Sequence, residues 1–305
     1  MGAELVAASV AGRHVSGVFR PLGGMSQTRR TFLTTLGAAA AGLATGRRAF
    51  AAPNVSRAKI SRIGIQLYTL RRAAEPDLAG VLGSLAKIGY KEVEFAGYYK
   101  HPASEVRDLL EQNGLTAPSA HIGLDEIETN AAQTFSDAKT IGLEWITVPS
   151  LPRGKRETAD DWKLLADRFN KAAAQAKAAG FRFAFHNHAD IVKPTGDVLP
   201  IEILMKETDP ALVSYEMDIY WAVVGGADPI ALLARYPNRF KMLHVKDSSG
   251  PPDNKMADAG AGTIDFKKIF AAARGIEHYF VEHDSPADAI ASATASYKYL
   301  SGLEF

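Results

Sequence analysis

Two hydrophobic periods alternate along this chain from Arg62 onward. Residues 63–68, 92–95, 117–121, 145–148, 181–187, 213–218, 240–246 and 279–282 carry the two-residue alternation or compact apolar block of strands. Between them, near residues 78–88, 104–112, 127–140, 160–179, 201–206, 229–236, 264–274 and 287–300, the pattern is that of amphipathic helices. Thr158, with Asp161 three residues on, is the expected N-cap of the clearest helix. Gly89, Gly114, Gly142, Gly180 and Gly275 each follow a helix, where a left-handed C-cap lets the chain turn back into a strand.

Eight strand–helix units over about 250 residues predict an α/β fold, a single (β/α)8 TIM barrel. The competing doubly wound sheet carries a glycine-rich phosphate loop after its first strand. Here that strand runs into Leu67-Tyr68-Thr69-Leu70, with no such loop. Alternation also assigns the faces. Phe181, Phe183 and Phe185 face the helix layer, whereas Arg182, Ala184, His186 and His188 face the axis. Val93 and Phe95 oppose Glu92 and Glu94, and Ile63, Ile65 and Leu67 oppose Gly64, Gln66 and Tyr68. The axis-facing set is unusually polar for a barrel interior. Charges there need partners, a metal or a substrate.

The rest of the composition narrows the reading. The 305 residues are 47% hydrophobic and 23% charged with net charge +1, which gives no reason to expect nucleic acid or a membrane as partner. There is no cysteine, so disulfides and thiolate chemistry are excluded. Residues 1–51 read as an N-terminal extension and export signal, and residues 52–305 as the barrel domain. Arg29-Arg30 precedes a weakly apolar stretch and the small-residue pattern Ala49-Phe50-Ala51. Together they resemble a bacterial twin-arginine signal, which implies a periplasmic or otherwise exported protein. The residues before Met25 look like a misplaced start.

Catalytic side chains in this architecture sit at the C-terminal ends of strands. The ends here are Glu94 on the second, His121 on the third, His186-Asn187-His188 on the fifth, Glu216-Met217-Asp218 on the sixth, His244-Val245-Lys246-Asp247 on the seventh and Glu282-His283-Asp284 on the eighth. Imidazoles and carboxylates converging on one mouth suit a divalent metal; the alternative is a structural polar network. Glu94 and His121 are candidates for binding substrate hydroxyls or for proton transfer. Lys246 shares the inward face of His244, where a cation stabilises an enolate or closes a salt bridge. Tyr68, Tyr98 and Trp221 offer apolar faces for a sugar ring. Glu216, deeper on the face of Asp218, is expected to pair with Arg182 or to take part in catalysis. His283 falls on the outer face by alternation and is left out.

Taken in order, Ile65-Gln66-Leu67-Tyr68-Thr69-Leu70-Arg71, Val93-Glu94-Phe95, Ser119-Ala120-His121, Phe185-His186-Asn187-His188, Asp218 before Tyr220-Trp221, Gly226-Ala227-Asp228-Pro229, His244-Val245-Lys246-Asp247 and Val281-Glu282 resemble the sugar phosphate isomerase/epimerase family, the xylose-isomerase-like TIM barrels. The resemblance covers nearly all of the chain after Arg62. It implies a metal-dependent isomerase, epimerase or lyase that acts on a small carbohydrate by proton abstraction beside an oxygen held on the metal. It also implies one divalent ion (Mn, Co, Fe or Zn), held by a Glu, an Asp, a His and a Glu from the fifth to eighth strands. Asp218, His244 and Glu282 match the last three, while His186 stands at the first, with His188 as a rival ligand. Glu282, Glu94, His121, His188 and Lys246 are then the candidate acids and bases. The family's epimerases use two glutamates to take and return a proton, and His186 replaces one of them. That departure favours elimination or hydration of a sugar or keto-sugar. A non-catalytic metal- or sugar-binding protein is the alternative. An endonuclease IV-like activity suits neither an exported, near-neutral chain nor this ligand number.

The export reading has a direct consequence. N-terminal sequencing of the protein recovered from its native cells should read from about Ala52, and an intact N-terminus there would exclude processing after Ala49-Phe50-Ala51.

Overall fold

The structure, a computed structural model, describes residues 58–305 apart from 153 and 155. The arginine pair and the Ala49-Phe50-Ala51 pattern lie outside the described residues. Eight parallel strands close into a barrel: Ile63–Gln66, Glu92–Phe95, Thr116–His121, Trp145–Val148, Arg182–His186, Val213–Asp218, Phe240–Val245 and His278–Val281. Each pairs with its sequence neighbours, and the first pairs with the eighth through Ile65 opposite Val281. The expected barrel is therefore the observed one, down to the strand count.

Helices separate the strands, and their ends follow the local chemistry. The helix Ala159–Ala178 begins in a capping box. Thr158 Oγ1 accepts the Asp161 amide at 3.2 Å, and Asp161 Oδ2 accepts the Thr158 amide at 2.9 Å. Leu124–Ile141 ends at Gly142, whose φ of 90° and amide bond to the Ala138 carbonyl form the expected left-handed cap. The last helix starts at Ala289, two residues later than its hydrophobic pattern suggests, because Asp288 caps it through the Ala291 amide at 3.0 Å.

The barrel interior is layered. Outward-facing Ile65, Val93, Phe95, Phe183, Phe185, Tyr215, Leu243 and Val245 are buried beneath the helices. On the axis, Trp145, Ala184, Met242 and Phe280 form a small apolar floor of their own. Gly64 is part of that floor's geometry, since a Cβ there would stand 2.5 Å from the Phe280 ring. Above the floor comes a polar layer that includes Gln66, Glu94, Ser119, Thr147, Glu216 and His244, all buried.

Below the floor, charges close the N-terminal end. Glu92 accepts from Arg62 Nε at 2.9 Å and from His278 Nδ1 at 2.8 Å. Arg182 lies 3.6 Å over the Trp145 ring and pairs with Glu144 and Glu277. The expected Glu216–Arg182 pair is therefore not formed. Register explains it: Glu216 stands opposite His186, four residues beyond Arg182 on the same strand, or about 13 Å at 3.3 Å per residue. Sharing a face did not put the two at one level.

Several short elements escaped the hydrophobic pattern, among them the helices Arg71–Ala74 and Ile219–Val224 and one hairpin. Asp247–Ser248 pairs antiparallel with Met256–Ala257 in the loop after the seventh strand. Asp247 gathers that loop, accepting from the amides of Ser248 (2.7 Å), Gly260 (2.9 Å), Gly262 (3.0 Å) and Ile264 (3.1 Å).

The Glu92–His278 pair gives the floor a pH signature. Burial opposes the imidazolium, but the bond to Glu92 and its charge win, so the folded-state pKa of His278 is raised. Its stabilising contribution is complete below the unfolded value of about 6.5 and is lost as pH rises through the folded pKa. Urea unfolding across that interval should show the native chain losing stability relative to His278→Gln as pH rises. A pH-independent difference would remove His278 from the account.

Candidate metal centre and active site

The strand ends place each side chain by a backbone contact. Asn187, just past the fifth strand, clamps the sixth: its Oδ1 accepts the Asp218 amide at 3.0 Å and its Nδ2 donates to the Asp218 carbonyl at 3.3 Å. Asp218 in turn caps the helix Ile219–Val224, with Oδ1 accepting the Trp221 amide at 2.9 Å. Its Oδ2 pairs with Lys246 Nζ at 2.9 Å and faces His186 Nε2 at 3.4 Å and His244 Nδ1 at 4.0 Å. Glu282 Oε2 accepts from His244 Nδ1 at 2.9 Å.

His186, Asp218, His244 and Glu282 thus each turn one buried ligand atom to a common point, all within 4.8 Å of one another. His186 supplies the test of fit. Its Nδ1 donates to the Pro149 carbonyl at 2.9 Å, so in the neutral ring Nε2 is the bare nitrogen. That Nε2 is buried without a hydrogen bond and faces Asp218 Oδ2. An orphaned imidazole lone pair beside a buried carboxylate oxygen is a cost in a protein core and a ligand pair for a divalent cation. The donor set of two nitrogens and two oxygens suits Mn, Fe, Co or Zn. The second-strand and third-strand ends form another buried group with Glu216 and His244, one layer down. There Glu216 bonds His121 Nε2 at 3.0 Å and lies 3.2 Å from His244 Nε2, which are the partners it takes in place of Arg182.

Lys246 arches over the quartet. Its Nζ lies 2.9 Å from Asp218 Oδ2, 2.7 Å from Glu282 Oε2 and 2.7 Å from Asp284 Oδ1. Burial disfavours its charge, but these three carboxylates outweigh burial and raise its pKa. The same attraction acts in reverse on Glu282, where burial is overcome by Lys246 and His244 and the pKa falls well below the usual range. His188 is different. Burial first, then the neighbouring His186, pull it down to about 3, and its ring makes no hydrogen bond among the described residues. Burial also opposes the charge on His121, but Glu94 and Glu216 prevail and raise its pKa.

A cavity of about 260 Å³ opens above these groups, lined by Tyr68, His121, Pro149, Ser150, His186, His188, Lys246, Glu282 and Asp284. It has room for one small polar ring. His121, His188, Lys246 and Glu282, expected as acids or bases, all reach it, and Tyr68 sits at its lip beneath Arg71. Glu94 does not: its two oxygens are held by Ser119, Gln66 and His244. Tyr98 packs edge-on against Phe95 and does not line the cavity. Trp221 stands behind the wall, its ring 5.5 Å from that of His188 and 5.7 Å from Lys246 Nζ. Asp284 is the residue missing from the sequence-based set. It lies two residues beyond Glu282, so the same alternation that chose Glu282 points to it, and Arg71 fixes its carbonyl at 2.6 Å.

Comparisons with known proteins bear on the family and the fold. The family described as xylose isomerase-like TIM barrel matches residues 82–299. An inosose dehydratase of Geobacillus kaustophilus is 29% identical over 192 residues, covering 55% of this chain and 61% of that protein. An inosose dehydratase of Clostridium perfringens is 32% identical over 225 residues, 62% of this chain and 75% of that protein. Among solved structures, a sugar phosphate isomerase/epimerase from Parabacteroides distasonis superposes with a TM-score of 0.70 at 28% identity, over 79% of this chain and 94% of that one.

The quartet makes a stoichiometric prediction. Elemental analysis should find one divalent ion per native chain and a loss of stoichiometric metal in His244→Ala. Full occupancy in that variant would show that the ion is held elsewhere.

Proposed function

The chain belongs to the xylose isomerase-like TIM-barrel family, and on that premise we propose that it is a metal-dependent lyase that dehydrates a small keto-sugar or keto-cyclitol of the inosose kind. The observation that carries this reading is the asymmetry of the cavity. An imidazole without a hydrogen bond, His188, stands on one wall, while Glu282 is bound to His244 and Lys246. Among the described residues, the only other carboxylate lining the cavity is Asp284, and no second glutamate mirrors Glu282. A pair of matched bases on opposite faces of a sugar, which epimerisation uses, is not built here. The names of the two inosose dehydratase relatives point the same way.

A divalent ion, which His186, Asp218, His244 and Glu282 would hold, would supply Lewis acidity to a substrate carbonyl. The chain's own groups do the rest. His188, neutral and facing the cavity, takes the proton from the carbon next to the carbonyl. The electron pair of that C–H bond becomes the new C=C bond, and the C–O bond to the β-hydroxyl breaks. His121, whose pKa Glu94 and Glu216 raise, delivers a proton to the departing oxygen, and water leaves. Two cavity imidazoles whose surroundings push their pKa values apart are suited to be base and acid in one turnover. Lys246 adds a fixed positive charge where negative charge develops.

The arginine pair and small-residue pattern at the N-terminus favour action outside the cytoplasm, so an unphosphorylated substrate fits this reading best.

The test is incubation of the metal-loaded protein with inosose in deuterated water. The expected product has lost one water. His188→Ala should retain the ion and lose about 10²–10⁴-fold in kcat. Deuterated epimer or ketose with no loss of water would overturn the lyase reading in favour of isomerisation.

A further inference from the structure

Glu94 touches the quartet only through His244, and the form of that contact gives it a role other than acid or base. We propose that Glu94 is a positioning residue: it holds the Nε2 proton of His244 and so leaves Nδ1, on the side of Asp218 and Glu282, as the nitrogen a cation would take. The inference rests on the metal centre proposed above and assigns the residue that orients one of its ligands.

An imidazole has two ring nitrogens, and in the neutral ring one donates while the other accepts. His244 Nε2 lies 2.7 Å from Glu94 Oε2 and 3.2 Å from Glu216 Oε2. Ionised carboxylates only accept, so Nε2 must carry hydrogen. Nδ1, which donates to Glu282 Oε2 at 2.9 Å and lies 4.0 Å from Asp218 Oδ2, carries the proton that a cation held among those carboxylates would displace. His186 is set by the opposite choice. It donates from Nδ1 to the Pro149 carbonyl and presents Nε2. The two histidines of the quartet thus offer different nitrogens, each selected by the partner on its far side.

Glu94 is itself fixed from behind. Ser119 Oγ donates to Oε1 at 2.6 Å, and Gln66 Nε2 donates to Oε2 at 2.7 Å. Gln66 cannot flip its amide without loss, because its Oε1 accepts the Tyr68 amide at 3.0 Å. Oε2 therefore takes two donors, Gln66 and His244, which uses both of its lone pairs. No lone pair remains on that atom for a substrate proton or a second ion. Glu94, Gln66, Ser119 and His244 are all fully buried, so the arrangement is pre-set rather than induced by substrate. Partners of this kind behind a ligating histidine typically contribute 10–100-fold in metal affinity.

The experiment is a Mn²⁺ titration of the full chain, with free ion counted by electron paramagnetic resonance and folding checked by circular dichroism. Glu94→Gln leaves a weaker acceptor and should weaken Mn²⁺ binding by about 10–100-fold with the fold retained. Ser119→Ala, which removes one support of the carboxylate, should weaken it less, in the same direction, and decides the matter if Glu94→Gln does not fold. Native-like affinity in the folded variants would overturn the positioning role while leaving the metal centre standing. Two ions per native chain would overturn it too, because Glu94 would then be a ligand. A native chain that takes no ion would remove both readings together.

Discussion

Ionised groups on the axis of a closed barrel must be matched inside the barrel, and much of this structure follows from that requirement. Asp218, Glu216 and Glu282 are buried, as are His244 and Lys246. An unmatched charge there would cost several kcal/mol. His244 is the joint of the solution. One nitrogen reaches down to Glu94 and Glu216, the other up to Glu282 and Asp218. Lys246 then closes the top by bridging three carboxylates. Removing the imidazole would leave two carboxylate layers facing each other across an uncompensated gap, so His244 serves stability and chemistry at once.

The apolar floor separates this network from a second one. Trp145, Ala184, Met242 and Phe280 lie between the active layer and the charges that seal the N-terminal end. The lower set, Arg62, Glu92 and His278 with Arg182, Glu144 and Glu277, is more solvated and pairs locally. Conformational demands rise toward the opposite end. There the longer loops carry Pro149, Ser150 and Asp284 to the cavity, and Asp247 draws the seventh loop together through four backbone amides. The rigid end holds the frame, and the looped end holds the chemistry, as the barrel's strand direction dictates.

How far the sequence could be read depended on which physical rule governed each feature. Strand and helix order was legible because burial imposes a period, and all eight strands lie where that period puts them. The barrel mouth was legible because alternation assigns faces, and it brought His186, Asp218, His244, Glu282, His121, His188 and Lys246 together. Level along the axis was not legible. Arg182 and Glu216 share a face but are four residues apart in register, and pairing register appears only once the strands are laid side by side. Hydrogen-bond saturation was equally hidden. Nothing in the sequence shows that Ser119 and Gln66 already occupy Glu94, or that Tyr98 turns to Phe95. The Asp247–Ser248 hairpin was missed because two-residue strands are too short to show a period.

The histidine on the fifth strand sets the charge of the whole centre. Asp218 and Glu282 bring two carboxylates to the quartet, and an imidazole that gives its lone pair to a cation adds no negative charge. A divalent cation would balance that set, and Lys246 with Asp284 forms a further neutral pair beside it. A glutamate at position 186 would leave the loaded quartet one charge negative and would lose the bond that Pro149 now accepts. A net negative centre opposes the negative charge that develops on a carbonyl oxygen as the neighbouring carbon loses its proton, whereas a balanced one does not. A histidine rather than a glutamate at position 186 would therefore make a loaded centre a stronger sink for electrons. That electrophilicity would suit the proposed reaction, which draws one proton away and expels an oxygen, more than one that must return the proton to the same carbon.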